Sequence, residues 1–134
     1  MKEIDELILP EDLRYADDHE WAKPENGETT IGISDYAQAQ LGDIVFVELP
    51  APGAVIGKGE LFGTVESVKA VAELYMPVGG EVLAVNKVLE ESPELVNKAP
   101  YSEGWMLRVK TGNPSELDGL MNKEAYLHML KGLK

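Results

Sequence analysis

A single lysine, Lys69, stands where two β-prone segments are expected to turn back on each other. The break before it reads Glu66-Ser67-Val68, and Ala70 follows, so both immediate neighbours of the lysine are uncharged. A lysine in a turn is usually a solvated residue without further role, and that interpretation stays open. A stiff hairpin that holds one amine clear of the protein would also suit an enzyme that attaches a group to it. Acylation would remove the charge of the amine and make the side chain a tether.

Other reactive side chains are sparse. The sequence has no cysteine, which excludes disulfides, thiol nucleophiles and Cys-ligated zinc. His19 and His128 are far apart along the chain and belong to no metal-binding motif, so we expect no metal site. The glycines between residues 53 and 63 lack the Gly-Lys-Ser/Thr ending of a phosphate loop, and we expect them at tight turns. An independent enzyme activity is therefore the least favoured interpretation.

The charge of the chain limits its partners. In 134 residues, 24 acidic against 12 basic side chains give a formal net charge of −12. Binding to nucleic acid or to an anionic membrane surface would require clustered Lys and Arg, so both are disfavoured. The charge favours a protein partner with a basic docking face, or it serves solubility alone. The N-terminal apolar run is short and interrupted by acids, unlike a signal peptide, so we expect a cytoplasmic location.

Short strands separated by Gly and Pro turns are the elements that would position Lys69. The arms of its hairpin are LFGTVES and AVAELYMP, and the preceding strand IVFVELP ends at Pro50. Further strands are predicted for ETTIGIS, VGGEVLAVN and WMLRVKT. Many short strands with frequent turns are typical of a small all-β barrel or sandwich with peripheral helices.

Two helical regions are predicted. Ser34 can cap a short helix over SDYAQAQLGD, and Gly42 can end it in the left-handed conformation. Near the C-terminus, Asn113 is a cap residue and Pro114 occupies the first helical position, while Asn122 begins a second helical segment. The Met and Leu stripe of this tail, with Tyr126, is expected to serve core packing.

The chain is expected to form one domain over residues 1–134, because this length can bury a single core. Residues 1–12 are predicted to be a loosely attached lead-in segment, and residues 114–131 a C-terminal helical region. Between the last two predicted strands, LEESPELVNKAPYSEG is expected to be a long acidic connection containing two prolines.

The segment around Lys69 resembles the lipoyl-lysine segment of the glycine cleavage system H-protein family. The resemblance rests first on ESVKA, within FGTVESVKAVAELYMPVGGEVLAVN. HEWAK, IGISDYAQAQLGDIVFVELP and SPELVNKAPYSEGWMLRVK follow the family order as well. Together these motifs extend from about residue 13 to about residue 130. Several long motifs in one order are far more specific than a single short pattern.

The resemblance implies a barrel-sandwich hybrid fold, lipoate in amide linkage to Lys69, and a carrier role without enzyme activity. The carrier would take the aminomethyl group of glycine from the pyridoxal-phosphate glycine decarboxylase (P protein). It would deliver that group to the tetrahydrofolate-dependent aminomethyltransferase (T protein), and dihydrolipoamide dehydrogenase (L protein) would then reoxidise it. A lipoate-attaching enzyme is a further implied partner. The family also suggests a monomer.

The resemblance further implies a surface cleft that shelters the loaded arm. By position, its lining would include Glu20 of the HEW segment, with Asp18 and His19 beside it, and Glu73 after the lysine. A protonated amine in such a cleft would need a carboxylate and protection from water. Asp18 stands where the family often has a small hydroxyl residue, and Glu73 stands where Asp is common.

Three alternatives to the aminomethyl carrier remain. The nearest is an H-like lipoyl protein that serves lipoate transfer or another redox pathway, and it would keep Lys69 while losing the glycine partners. A biotin carrier would typically place its lysine between methionines, which Val68 and Ala70 do not match. An unmodified interaction module would leave the Lys69 amine free.

Overall fold

The computed structural model describes residues 3–132, and within them nine strands form two antiparallel sheets. The larger sheet contains, in spatial order, β1 (Arg14–Tyr15), β2 (Glu20–Glu25), β3 (Glu28–Ile33), β9 (Leu107–Thr111), β8 (Gly80–Val85) and β5 (Val55–Ile56). The smaller sheet contains β4 (Ile44–Glu48), β6 (Leu61–Ser67) and β7 (Val71–Tyr75), with β6 in the middle. This architecture confirms the predicted mainly-β fold.

Short helices surround the sheets. They are α1 (Asp35–Leu41), α2 (Val88–Glu91), α3 (Leu95–Lys98) and α4 (Lys123–Gly132), with 3₁₀ turns at Ile4–Glu6 and Pro114–Gly119. The predicted ends of α1 are confirmed, because Ser34 Oγ accepts a hydrogen bond from Ala37 N–H and Gly42 has a φ of 80°. The acidic connection proves to contain α2 and α3. None of the helices within residues 3–132 is long and apolar enough to cross a membrane.

The main core combines residues from both sheets. Ile31 and Leu107 of the larger sheet and Val65 and Leu74 of the smaller one are all buried in it. Apolar residues alternate with outward-facing ones along these strands, as expected when one face of a sheet is covered. At Gly63 a Cβ would overlap the carbonyl oxygen of Glu48, so the close approach of β6 to β4 requires glycine.

A second buried cluster attaches the N-terminal segment and α4. It contains Leu9, Leu13, Tyr15, Trp21, Tyr126 and Leu130. The N–H of Ile8 also donates to Asp35 Oδ2 at 2.8 Å. The lead-in is therefore packed more closely than the sequence predicts, because its leucines bury apolar surface against the helix. Residues 1–2 and 133–134, at the ends of the predicted domain, lie outside the described part of the chain.

The β2–β3 hairpin places the HEW segment beside α1. Its turn is Asn26-Gly27, with φ values of 53° and 80°, as a two-residue turn with both central residues left-handed requires. The register runs from Glu25 opposite Glu28 to Glu20 opposite Ile33. Because Ile33 leads directly into α1, this pairing brings the start of β2 against the start of the helix.

Candidate functional site

Lys69 lies in the turn between β6 and β7, as predicted. The two strands pair in antiparallel register up to Glu66 opposite Val71. Across the turn, Ser67 N–H donates to the Ala70 carbonyl at 2.8 Å. The buried Ser67 Oγ accepts from the N–H groups of Lys69 and Ala70 at 3.3 and 3.1 Å. The turn is thus held from the inside by a serine and by backbone, while the Lys69 side chain remains exposed.

A second contact ties this turn to the segment between α1 and β4. Val68 N–H donates to the Asp43 carbonyl at 3.1 Å, while the Val68 side chain faces solvent. The Lys69 side chain passes over Gly42, where an added Cβ would lie 3.5 Å from Lys69 Cε. The lysine therefore sits on a turn anchored at both ends, beside the C-terminus of α1.

A cleft of about 320 Å³ lies between α1, β7 and the turn that precedes β2. It is lined by three of the four predicted pocket residues, Asp18, His19 and Glu73. Leu41, next to Gly42, and Ala72, close after Lys69, also line it, so the cleft begins beside the lysine. Residues 18 and 73 are distant in sequence and meet only because the two sheets fold together.

Glu20, the fourth predicted residue, lies behind Asp18 and is buried, with 1% of its surface exposed. Its Oε2 accepts a hydrogen bond from Tyr75 N–H at 3.1 Å. Its Oε1 accepts no hydrogen bond from the described residues. The carboxyl group of Glu20 does contact the carboxyl group of Asp18. Burial, and then the hydrogen bond to and charge of Asp18, raise the pKa of Glu20 to about 10. Glu20 is therefore protonated at neutral pH, and its proton can bridge the two carboxyl groups.

His19 adopts a left-handed backbone conformation, with a φ of 82° that non-glycine residues seldom adopt. Its Nδ1 lies 2.8 Å from the Tyr126 hydroxyl, and its ring packs against Tyr36 at a centroid distance of 4.7 Å. Burial lowers the pKa of His19, while the charges of Asp18 and Asp17 oppose that shift. At neutral pH the imidazole is accordingly uncharged.

Glu73 is exposed at the mouth of the cleft and accepts a hydrogen bond from the Tyr75 hydroxyl at 3.1 Å. The cleft therefore combines apolar walls with carboxyl groups. No group of three or more His, Asp or Glu side chains suited to metal binding occurs within residues 3–132. The arrangement is suited to sheltering a flexible, partly apolar arm with a cationic end.

The contribution of α4 to this site was not predicted from the sequence. Tyr126 is predicted only as a packing residue, yet its hydroxyl contacts both His19 and Ser34. A buried tyrosine hydroxyl needs a hydrogen-bond partner, which is the one signal that could have indicated a polar role. The partner itself lies 107 residues away and is set by the tertiary fold.

Known proteins resemble this chain over nearly its whole length. A family model described as glycine cleavage H-protein matches residues 13–133. The glycine cleavage system H protein of Salinibacter ruber is 56% identical over 120 residues, which cover 90% of this chain and 97% of the relative. That of Opitutus terrae is 54% identical over 123 residues, covering 91% and 97% respectively.

A solved structure shares the fold as well. The crystal structure of a glycine cleavage system H protein from Mycobacterium marinum superposes with a TM-score of 0.82 at 32% identity. The match covers 92% of this chain and 99% of that one. It confirms the predicted barrel-sandwich hybrid fold. The chain therefore belongs to the glycine cleavage H-protein family, whose members are lipoyl carriers of the glycine cleavage system and not enzymes.

Proposed function

We propose that Lys69 is the lipoyl attachment site and that the chain carries the aminomethyl group of glycine. It takes this group from the pyridoxal-phosphate glycine decarboxylase and delivers it to the tetrahydrofolate-dependent aminomethyltransferase, after which dihydrolipoamide dehydrogenase reoxidises the carrier. The observation that carries the proposal is the exposed amine on an anchored turn at the mouth of a cleft. The cytoplasmic location and the monomeric state stay predictions.

The residues around Lys69 fit a lipoyl group. Its amine is accessible to an attaching enzyme, while Ser67 keeps the turn rigid. Ile33, Leu41 and Leu74 line the cleft with apolar surface that suits a hydrocarbon chain. When bound, the lipoyl group supplies a disulfide that accepts the carried group and electrons, chemistry that a chain without cysteine lacks.

We assign the shelter of the carried amine to Asp18, His19, Glu20 and Glu73. Asp18 and Glu73 line the cleft and offer oxygens to a protonated amine. Glu20 supports Asp18 from behind through the carboxyl contact, so it acts as a positioning residue. His19, held neutral, adds no positive charge that would repel the amine. Walls formed by α1 and β7 limit the access of water.

Glycine-dependent bicarbonate exchange with glycine decarboxylase tests the proposed function. We expect exchange with lipoylated protein and none with the unmodified chain, because the accepting disulfide is on the arm. Mass spectrometry of the same samples establishes the modification and its position at Lys69. Absence of exchange from fully lipoylated protein would instead favour an H-like lipoyl protein that serves lipoate transfer or another redox pathway.

The loaded carrier with Asp18→Asn is expected to release ammonia about tenfold faster than the loaded wild type. This factor corresponds to the loss of one charge-assisted hydrogen bond to the carried amine. Lipoylation should proceed at the wild-type rate, because the turn that holds Lys69 is stabilised by Ser67 and not by Asp18. Asp17→Asn is the matched control, since it removes the same charge one residue away and outside this cleft. Equal release rates for the two variants would remove Asp18 from the shelter.

A further inference from the structure

A buried chain of hydrogen-bonding groups links α4 to the cleft. His19 Nδ1 lies 2.8 Å from the Tyr126 hydroxyl, which lies 2.7 Å from Ser34 Oγ. Ala37 N–H donates to the same Ser34 oxygen at 3.2 Å. Ser34 and Tyr126 have no exposed surface, so water does not compete for these contacts. The direction of each hydrogen bond can therefore be deduced from the available donors and acceptors.

The hydroxyl proton of Ser34 determines that direction. Within residues 3–132, the Tyr126 oxygen is the one hydrogen-bond partner of Ser34 Oγ besides Ala37 N–H, which is a donor. Ser34 therefore donates to Tyr126, and Tyr126 donates to His19 Nδ1. If Tyr126 donated to Ser34 instead, the Ser34 hydroxyl proton would be buried without an acceptor, which is unfavourable. Neutral His19 consequently carries its proton on Nε2.

This chain of hydrogen bonds also opposes protonation of His19. An imidazolium would have to donate from Nδ1 to the Tyr126 oxygen. Either the Tyr126 or the Ser34 hydroxyl proton would then be buried without an acceptor, because neither hydroxyl has another acceptor within residues 3–132. The groups that face His19 are Asp17 and Asp18 before it, Tyr36 of α1, Glu73 of β7 and Tyr126 of α4. The carboxylates among them favour the charged ring, while burial and the hydrogen-bond chain favour the neutral one.

We propose that Tyr126 is a positioning residue that holds His19 neutral, with Nε2–H as the donor left for the cleft. Two backbone features fix the position of His19, namely its left-handed conformation and the hydrogen bond that its carbonyl accepts from Ser34 N–H at 2.9 Å. The contact with Tyr36 fixes its ring. The consequence for the carried amine rests on the proposed function. Because a neutral His19 does not pair with the carboxylates of Asp18 and Glu73, their charges remain available to a cationic amine. Through Tyr126, α4 therefore controls the charge of the cleft.

Nuclear magnetic resonance of ¹⁵N-labelled histidine tests this proposal on the unmodified chain. The sequence has two histidines, and the exposed His128 serves as an internal reference. We expect wild-type His19 in the Nε2–H form, titrating below the ordinary histidine midpoint of about 6.5. In Tyr126→Phe, we expect a mixture of tautomers and a midpoint higher by roughly one pH unit. A wild-type His19 protonated on Nδ1 at neutral pH would overturn the proposal without any variant.

Tyr15→Phe is the matched control. Tyr15 is buried and its ring stacks on Tyr126 at a centroid distance of 4.6 Å. Its hydroxyl donates a hydrogen bond to the Pro10 carbonyl and is not part of the chain of hydrogen bonds. The His19 spectrum of Tyr15→Phe should match that of the wild type. An equal change in Tyr15→Phe and Tyr126→Phe would mean that aromatic packing, and not the Tyr126 hydroxyl, controls His19.

The loaded carrier tests the functional consequence separately. Tyr126→Phe should release ammonia faster than wild type at a pH where the spectra show a charged His19 in the variant and a neutral one in the wild type, and at the wild-type rate at a pH where both are neutral. Wild-type release at both pH values would refute control of the cleft by Tyr126. Failure of glycine-dependent exchange would instead contradict the proposed function, and the histidine spectra would still establish the positioning role.

Discussion

Lys69→Arg is expected to abolish aminomethyl carriage while leaving the fold intact. Arginine keeps the positive charge and the exposure of the side chain, but its guanidinium does not form the lipoyl amide. The turn depends on Ser67 and on backbone hydrogen bonds, and the lysine side chain only passes over Gly42. The free energy of unfolding should therefore change by no more than about 0.5 kcal/mol.

Three measurements on this variant check the result. After incubation with lipoate and an attaching enzyme, its mass should not increase, and bicarbonate exchange should fall to background. Denaturant unfolding should retain the wild-type midpoint and slope. Lys87→Arg is the control, because it changes another exposed lysine and should keep modification and exchange. A lipoylated Lys69→Arg protein would move the attachment site to another lysine, and a loss of cooperative unfolding would make Lys69 structural.

Glu20→Gln is expected to flatten the dependence of stability on pH. Folding raises the pKa of Glu20 from 4.5 to about 10, so the folded protein holds this proton more tightly than the unfolded chain. This tighter proton binding stabilises the folded protein in full below the pKa that Glu20 has in the unfolded chain. The stabilisation is lost as pH rises through the pKa that Glu20 has in the folded protein. Glutamine has no proton to lose at this position. Its oxygen can still accept from Tyr75 N–H, and its amide can donate to Asp18.

Denaturant unfolding at pH 5, 7 and 9 measures this effect. The wild-type protein should lose stability relative to Glu20→Gln as pH rises, by an amount on the order of a few kcal/mol at pH 9. Glu73→Gln is the control, since it neutralises an exposed carboxylate at the same cleft and should retain the wild-type slope. Parallel pH profiles for the wild type and Glu20→Gln would mean that Glu20 is ionised in the folded protein.

The site divides into a local part and a non-local part. The turn of Lys69 depends on neighbours in sequence, because Ser67 bonds to residues two and three positions ahead and the strands on each side are β-prone. This part could be predicted from pattern alone. The pocket role proposed for Asp18, His19, Glu20 and Glu73 depends on family resemblance, since nothing in their spacing brings residue 73 to residue 18.

The mainly-β architecture, the capped helix α1 and the exposed hairpin lysine could all be predicted from the sequence alone. Each of these depends on short-range alternation, a cap residue or a turn residue. The burial of Glu20 against Asp18 depends on the tertiary fold, and so does the hydrogen bond between His19 and Tyr126, which are 107 residues apart. These features escape prediction because burial changes the protonation and hydrogen bonding of a polar side chain. In water these groups would be ordinary carboxyl, imidazole and phenol side chains, whereas inside the fold their protonation depends on the few partners that packing leaves within reach.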